Sequence, residues 1–155
     1  MPIYYNHKNS GRPVGSTELF TTRYVDLPTV PLYPFGYGLT YTTFEYANLQ
    51  INSEVLRGSV EISADVSNIG QRAGNELAQL YVRDRVGSLT RPMRELKGFR
   101  RMELKPGETC RVTFTLREED LAFTRADGTR GVEPGSFHVW IAPDSSSGLQ
   151  GKFRL

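Results

Sequence analysis

From Gly58 to Asn68 the chain alternates: Val60, Ile62, Ala64 and Val66 fall on one side, Glu61, Ser63, Asp65 and Ser67 on the other. A period of two over this length predicts a strand with one face buried and the other in water. Thr109–Leu116 repeats the pattern with Cys110, Val112, Phe114 and Leu116 inward, and Phe137, Val139 and Ile141 form a third inward face. Leu77–Arg83 differs, because Ala78, Leu80 and Val82 are opposed by Leu77, Gln79 and Tyr81. Large side chains on both faces predict a central strand, or one covered on its outer side. Phe44–Ile51 reads as an imperfect strand and Arg91–Leu104 as an irregular one with a bulge near Gly98. Leu121–Phe123 opens another strand, Gly151–Leu155 is a last one, and residues 2–5 read as a short strand with no evident partner.

Turn residues punctuate these runs. Asn68-Ile69-Gly70, Lys105-Pro106-Gly107-Glu108, Ala126-Asp127-Gly128-Thr129 and Pro134-Gly135 each predict a reversal of the chain, and Arg117–Asp120 a single helical turn at a corner. No longer helix is indicated. The result is an all-β chain of roughly seven strands, the pattern of an immunoglobulin-like sandwich with an extended N-terminal segment. Its core is expected from Val60, Ile62, Val66, Leu80, Val82, Val112, Phe114, Val139 and Ile141.

Ahead of the first good strand the pattern fails. Asn9-Ser10-Gly11-Arg12-Pro13 is turn chemistry, and Val14 to Pro31 has no sustained period. A stretch of this length without structure is uncommon inside a domain, so these residues are expected to pack on something outside the chain. Residues 32–44 then concentrate aromatic side chains: Tyr33, Phe35, Tyr37, Tyr41 and Phe44, with Gly36 and Gly38 between them and Pro34 restraining its neighbours. This is the composition of an ordered aromatic hinge; a solvated linker would be rich in Ser, Gly or charge.

Composition narrows the chemistry. The chain has 155 residues and a formal net charge of +2, with only Arg100-Arg101 adjacent among its basic residues, which argues against nucleic acid as a partner. No apolar run is long enough for a membrane helix, and Met1–His7 lacks the basic and apolar regions of a signal peptide. With one cysteine, Cys110, and two histidines, His7 and His138, no metal-ligand spacing occurs and no metal or other cofactor is expected. Cys110 shares the parity of Val112 and is expected to be an inert core thiol. Glu118-Glu119-Asp120 is the densest acidic group, but adjacent residues at a corner do not hold two carboxylates across a sugar. No nucleophilic serine motif or phosphate loop is present. Trp140 is expected to point away from the core and to be covered by other residues or by a domain contact, ahead of a role in stacking on a sugar.

Several stretches together resemble glycoside hydrolase family 3 β-glucosidases of the periplasmic bacterial type. Residues 2–13 resemble the end of that family's α/β sandwich domain, and Arg23-Tyr24-Val25-Asp26 the crossing segment. Tyr33–Phe44 resembles the hinge that follows. Val66-Ser67-Asn68-Ile69-Gly70, Gln79-Leu80-Tyr81-Val82, Arg91–Phe99 and Leu104-Lys105-Pro106-Gly107-Glu108 resemble successive signatures of the fibronectin type III-like domain. The resemblance implies three parts: residues 1–31, the tail of the α/β sandwich domain with its crossing linker; residues 32–44, the hinge; and residues 45–155, the fibronectin type III-like domain. It implies an enzyme that hydrolyses terminal β-D-glucosyl residues from the non-reducing end with retention, in the periplasm or outside the cell. The family's aspartate nucleophile and glutamate acid/base lie in its barrel and sandwich domains, neither motif occurs here, and no catalytic residue is assigned in this chain. The implied partners are the catalytic domains of the same polypeptide, with β-glucosides reached only through them. The interface residues this implies are Tyr33, Phe35, Gly36, Tyr37, Gly38, Tyr41 and Phe44. The other class left open is an independent carbohydrate-binding or adhesion module, for which Trp140 and Tyr81 are the available aromatics outside the hinge.

Overall fold

The computed structural model describes residues 4–9, 24 and 26–155. The alternating runs form the strands they predict: β1 (Phe44–Ile51), β2 (Ser59–Asn68), β3 (Gly74–Asp84), β4 (Glu95–Leu104) and β5 (Thr109–Arg117). The short strands β6 (Phe123–Thr124) and β7 (Arg130–Gly131) follow, then β8 (Ser136–Ala142) and β9 (Leu149–Arg154). Seven of these build a sandwich, with a three-stranded sheet in the order β1-β2-β5 facing a four-stranded sheet in the order β4-β3-β8-β9. All pairings within the two sheets are antiparallel. β6 and β7 form a small hairpin around the turn at Asp127-Gly128, and Glu118–Leu121 is one turn of 3₁₀ helix. Leu121 therefore belongs to the corner rather than to the strand that follows it.

The core lies where the alternation places it. Val60, Ile62, Ala64 and Val66 of β2 and Val112 and Leu116 of β5 meet Ala78, Leu80 and Val82 of β3 and Phe137, Val139 and Ile141 of β8, all buried. Phe114 is partly exposed and packs against this cluster. The irregularity in β4 falls where Gly98 predicts it: Leu80 pairs with Gly98 and Tyr81 with Leu96, so Lys97 is the extra residue of a bulge. A side chain at Gly98 would stand 3.2 Å from the Phe114 ring, so glycine lets the two sheets close at this point.

Cys110 departs from its expectation. It pairs with Val66 and keeps the inward parity of β5, yet it is exposed. It is the second residue of an edge strand, and parity sets the direction of a side chain without supplying a layer to cover it.

The N-terminal segment also departs from expectation. Tyr4 and Tyr5 lie in a turn, closed by the His7 N–H donating to the Tyr4 carbonyl at 3.2 Å, and not in a strand. This segment does find a partner within the chain: Lys8 bridges Pro92, and the Met93 N–H donates to the His7 carbonyl at 2.8 Å. Tyr5 packs on the outer face of the four-stranded sheet, against a second apolar cluster of Tyr81, Trp140 and Ala142. Of the unpatterned stretch from Val14 to Pro31 and the crossing segment, residues 14–23 and 25 lie outside the described residues, as do residues 1–3 of the expected first strand.

Candidate functional site

Residues 32–44 cross the outer face of the four-stranded sheet and are fastened to it at both ends. At the first end the chain turns at Pro34, whose carbonyl accepts from the Tyr37 N–H at 3.0 Å. The Phe35 carbonyl accepts from the Ser145 N–H at 2.9 Å, and the Gly36 carbonyl from the side-chain amide of Gln79 at 3.4 Å. The same amide donates to the Pro143 carbonyl, and Gln79 Oε1 accepts from the Tyr81 hydroxyl. Gly36 has φ +85°, and a Cβ there would overlap the Gln79 amide, so only glycine fits both the backbone shape and the approach. The receiving loop is itself held by Asp144, whose Oδ1 accepts from the N–H groups of Ser146 and Ser147 at 2.7 and 3.0 Å. Burial pushes the Asp144 carboxyl up, but these bonds, with that from the Ser146 hydroxyl, outweigh it and leave its pKa below the usual range.

At the second end the Thr42 hydroxyl donates to Asn68 Oδ1 at 2.6 Å, and the Ile69 N–H donates to the Thr43 carbonyl at 2.9 Å. Asn68 Oδ1 also accepts from the Gly70 N–H, while its Nδ2 donates to the carbonyls of Arg72 and Leu104 at 2.7 and 2.9 Å. Asn68 and Gln79 are the buried polar residues among those described, and each holds one end of the hinge. A buried amide is tolerated only when its donors and acceptors are used, and here they are used on the hinge and the turns beside it.

Fastened in this way, the hinge presents its side chains outward. Tyr33 is 67% exposed and Tyr41 91% exposed, and Leu32 and Leu39 are also exposed. Tyr33 lies against Tyr37 with ring centroids 5.4 Å apart. Phe35 stacks on Tyr5 at 4.2 Å, yet about half of its surface remains open. Gly38 has open space where a side chain would stand. Phe44 differs from the other expected interface residues: it begins β1 and packs, partly buried, against the sandwich core.

The structure adds two residues to this surface. Phe99 of β4, 68% exposed, pairs with Gln79, and Leu77 of β3, also exposed, pairs with Arg101. Both stand on the same outer face as the hinge. The bulge at Lys97 shifts the parity of β4, so simple alternation along that strand does not reveal Phe99. The outer face of the three-stranded sheet is different in kind: Glu61, Ser63, Asp65 and Ser67 of β2 lie beside Arg111, Thr113 and Thr115 of β5.

Trp140 is 7% exposed, and Tyr81, directly opposite it in the sheet, is fully buried. The Arg94 guanidinium lies 4.4 Å above the Trp140 ring and Tyr5 meets Tyr81 edge-on at 6.0 Å. Trp140 is covered, as expected, and neither ring is available as a platform for a sugar.

A fibronectin type III-like domain model matches residues 76–145, which include β4 to β8 and nearly all of β3. Across the whole chain, a periplasmic β-glucosidase from Salmonella typhimurium is 42% identical, and the match takes up 21% of that protein. The β-glucosidase BoGH3A of Bacteroides ovatus is 44% identical over 75% of the chain and 16% of its own length. The crystal structure of a β-glucosidase from Listeria innocua superposes with a TM-score of 0.92 at 34% identity, over 99% of this chain and 22% of that one. This chain belongs to the fibronectin type III-like domains of family 3 β-glucosidases. It spans about a fifth of the length of these relatives and matches their C-terminal part. In this domain the sandwich is the fibronectin type III-like element, and the clamped hinge lies on its four-stranded sheet.

Proposed function

We propose that this chain is a non-catalytic accessory domain that packs on and stabilises the catalytic domains of a family 3 β-glucosidase. The observation that carries the reading is the one-sided distribution of exposed apolar surface. The hinge ridge of Tyr33, Phe35, Tyr37 and Tyr41 joins Leu77 and Phe99 on one sheet face, while the opposite sheet face is polar. A concentrated apolar surface beside a rigid backbone is what a permanent domain contact requires. In this reading residues 1–31 are the tail of the preceding α/β sandwich domain and its crossing linker, residues 32–44 the docking hinge and residues 45–155 the sandwich. Gly36 brings the hinge backbone close to Gln79, Gly38 lies in the open part of the ridge, and Phe44 anchors the ridge to the core. The whole enzyme would remove terminal non-reducing β-D-glucosyl residues in the periplasm or outside the cell. The periplasmic β-glucosidase among the relatives supports that setting.

The test compares hydrolysis of an aryl β-glucoside by this chain alone and by a longer enzyme with and without the domain. The chain alone is expected to be inactive, and its removal to lower the activity or thermal stability of the longer enzyme. A truncated enzyme that keeps both would contradict the proposal.

A further inference from the structure

We infer that the cleft between the sheet's outer face and residues 29–34 is a carboxylate-binding site built from Arg83 and Arg94. The inference deepens the accessory-domain reading and rests on it for the source of the carboxylate, an aspartate or glutamate of the catalytic domains. The cleft has a volume of about 580 Å³ and is lined by Arg83, Arg94, His7, Trp140, Tyr5 and Ser145, among others, and among the described residues no acidic side chain lines it.

Three arginines elsewhere on the sandwich show the kind of partner that is missing. Arg91 pairs with Glu95 at 2.6 Å, Arg111 with Asp65 at 2.7 Å and Arg125 with Glu133 at 3.2 Å. Among the described residues no carboxylate bridges Arg83 or Arg94. Arg94 donates to the Ser147 carbonyl at 2.9 Å and stacks on Trp140, and among the described residues its other N–H donors have no hydrogen-bond partner. Arg83 projects from β3 beside His138 of β8, on the same outer face. Burial lowers the pKa of both guanidinium groups; the neighbouring Arg85 lowers that of Arg83 further, while Asp144 partly offsets the effect on Arg94. Two partly desolvated guanidinium groups in one cleft are favourable only when an anion joins them, and a carboxylate matches their planar fork. An acidic sugar would present the same carboxylate, but it would also need a ring to stack on, and the face of Trp140 is occupied by Arg94.

Trp140 is the one tryptophan of the chain, so its fluorescence reports on this cleft alone. The chain is titrated with sodium glutarate against sodium chloride of equal ionic strength. A saturable change with glutarate, and a loss of affinity of about tenfold or more in Arg83→Gln, is expected. No saturable change up to roughly 100 mM, or one indifferent to Arg83→Gln, overturns the site. Glucuronate binding more than about tenfold tighter than glutarate would overturn the protein source in favour of an acidic sugar. If the chain takes up glutarate while its removal leaves the longer enzyme unchanged, the carboxylate site stands and the accessory reading falls. If removal cripples the enzyme while Trp140 responds to neither anion, the reading stands and the site falls.

Discussion

Asn68→Ala is expected to lose about 3–5 kcal/mol of unfolding free energy, more than any conservative change on the outer face of β2. The substitution removes one side chain but leaves several partners without bonds: the carbonyls of Arg72 and Leu104, the Gly70 N–H and the Thr42 hydroxyl. Asn68 is fully buried, so water cannot replace the lost bonds without opening the turn between the sheets. Each buried group left unpaired costs about 1–3 kcal/mol, and partial relaxation keeps the total below the full sum. In a chain of 155 residues this corresponds to a fall in Tm of roughly 10 °C. Ser67→Ala, one residue earlier and facing outward, should cost less than about 1 kcal/mol and serves as the control. Equal losses in the two variants by urea unfolding would show that Asn68 does not hold the hinge in the way described.

Gly36→Ala is expected to cost about 2–4 kcal/mol for two separable reasons. The backbone at φ +85° disfavours any side chain by about 1–2 kcal/mol. The new methyl group would also displace the Gln79 amide from the carbonyls of Gly36 and Pro143. The second part depends on Gln79 and the first does not. Gln79→Ala alone should destabilise, because it strips the partner from the buried Tyr81 hydroxyl and from Pro143. In that background Gly36→Ala should cost less than it does in the parent chain. A coupling of about 1 kcal/mol or more in the double-mutant cycle is the expected result, and losses that add within about 0.5 kcal/mol would contradict the clamp.

Much of the architecture can be read from local pattern alone. β2, β5 and β8 alternate cleanly because one face of each meets the core, and β3 carries large residues on both faces because a second layer covers it. Tyr81 announces that layer without saying what forms it; Tyr5 and Phe35 do, and single residues in an unpatterned stretch carry no period. The aromatic-glycine composition of residues 32–44 marks the hinge. Its fastening is not legible, since Asn68 and Gln79 look like ordinary polar positions until the chain ends they bind are brought beside them. Phe99 is hidden by the bulge that shifts its strand's parity, and Cys110 by the lack of a covering layer at the edge of its sheet. Arg83 and Arg94 have no local signal at all, because having no carboxylate partner among the described residues is a property of the folded surface.

Hydroxyl-radical footprinting of this chain and of a longer β-glucosidase containing it addresses the domain contact most directly. Tyr33, Phe35, Tyr37, Tyr41 and Phe99 should be modified readily in the chain alone and be strongly protected in the longer enzyme. Cys110, on the three-stranded sheet, should react in both. Equal modification of the hinge aromatics in the two proteins would contradict docking through this face.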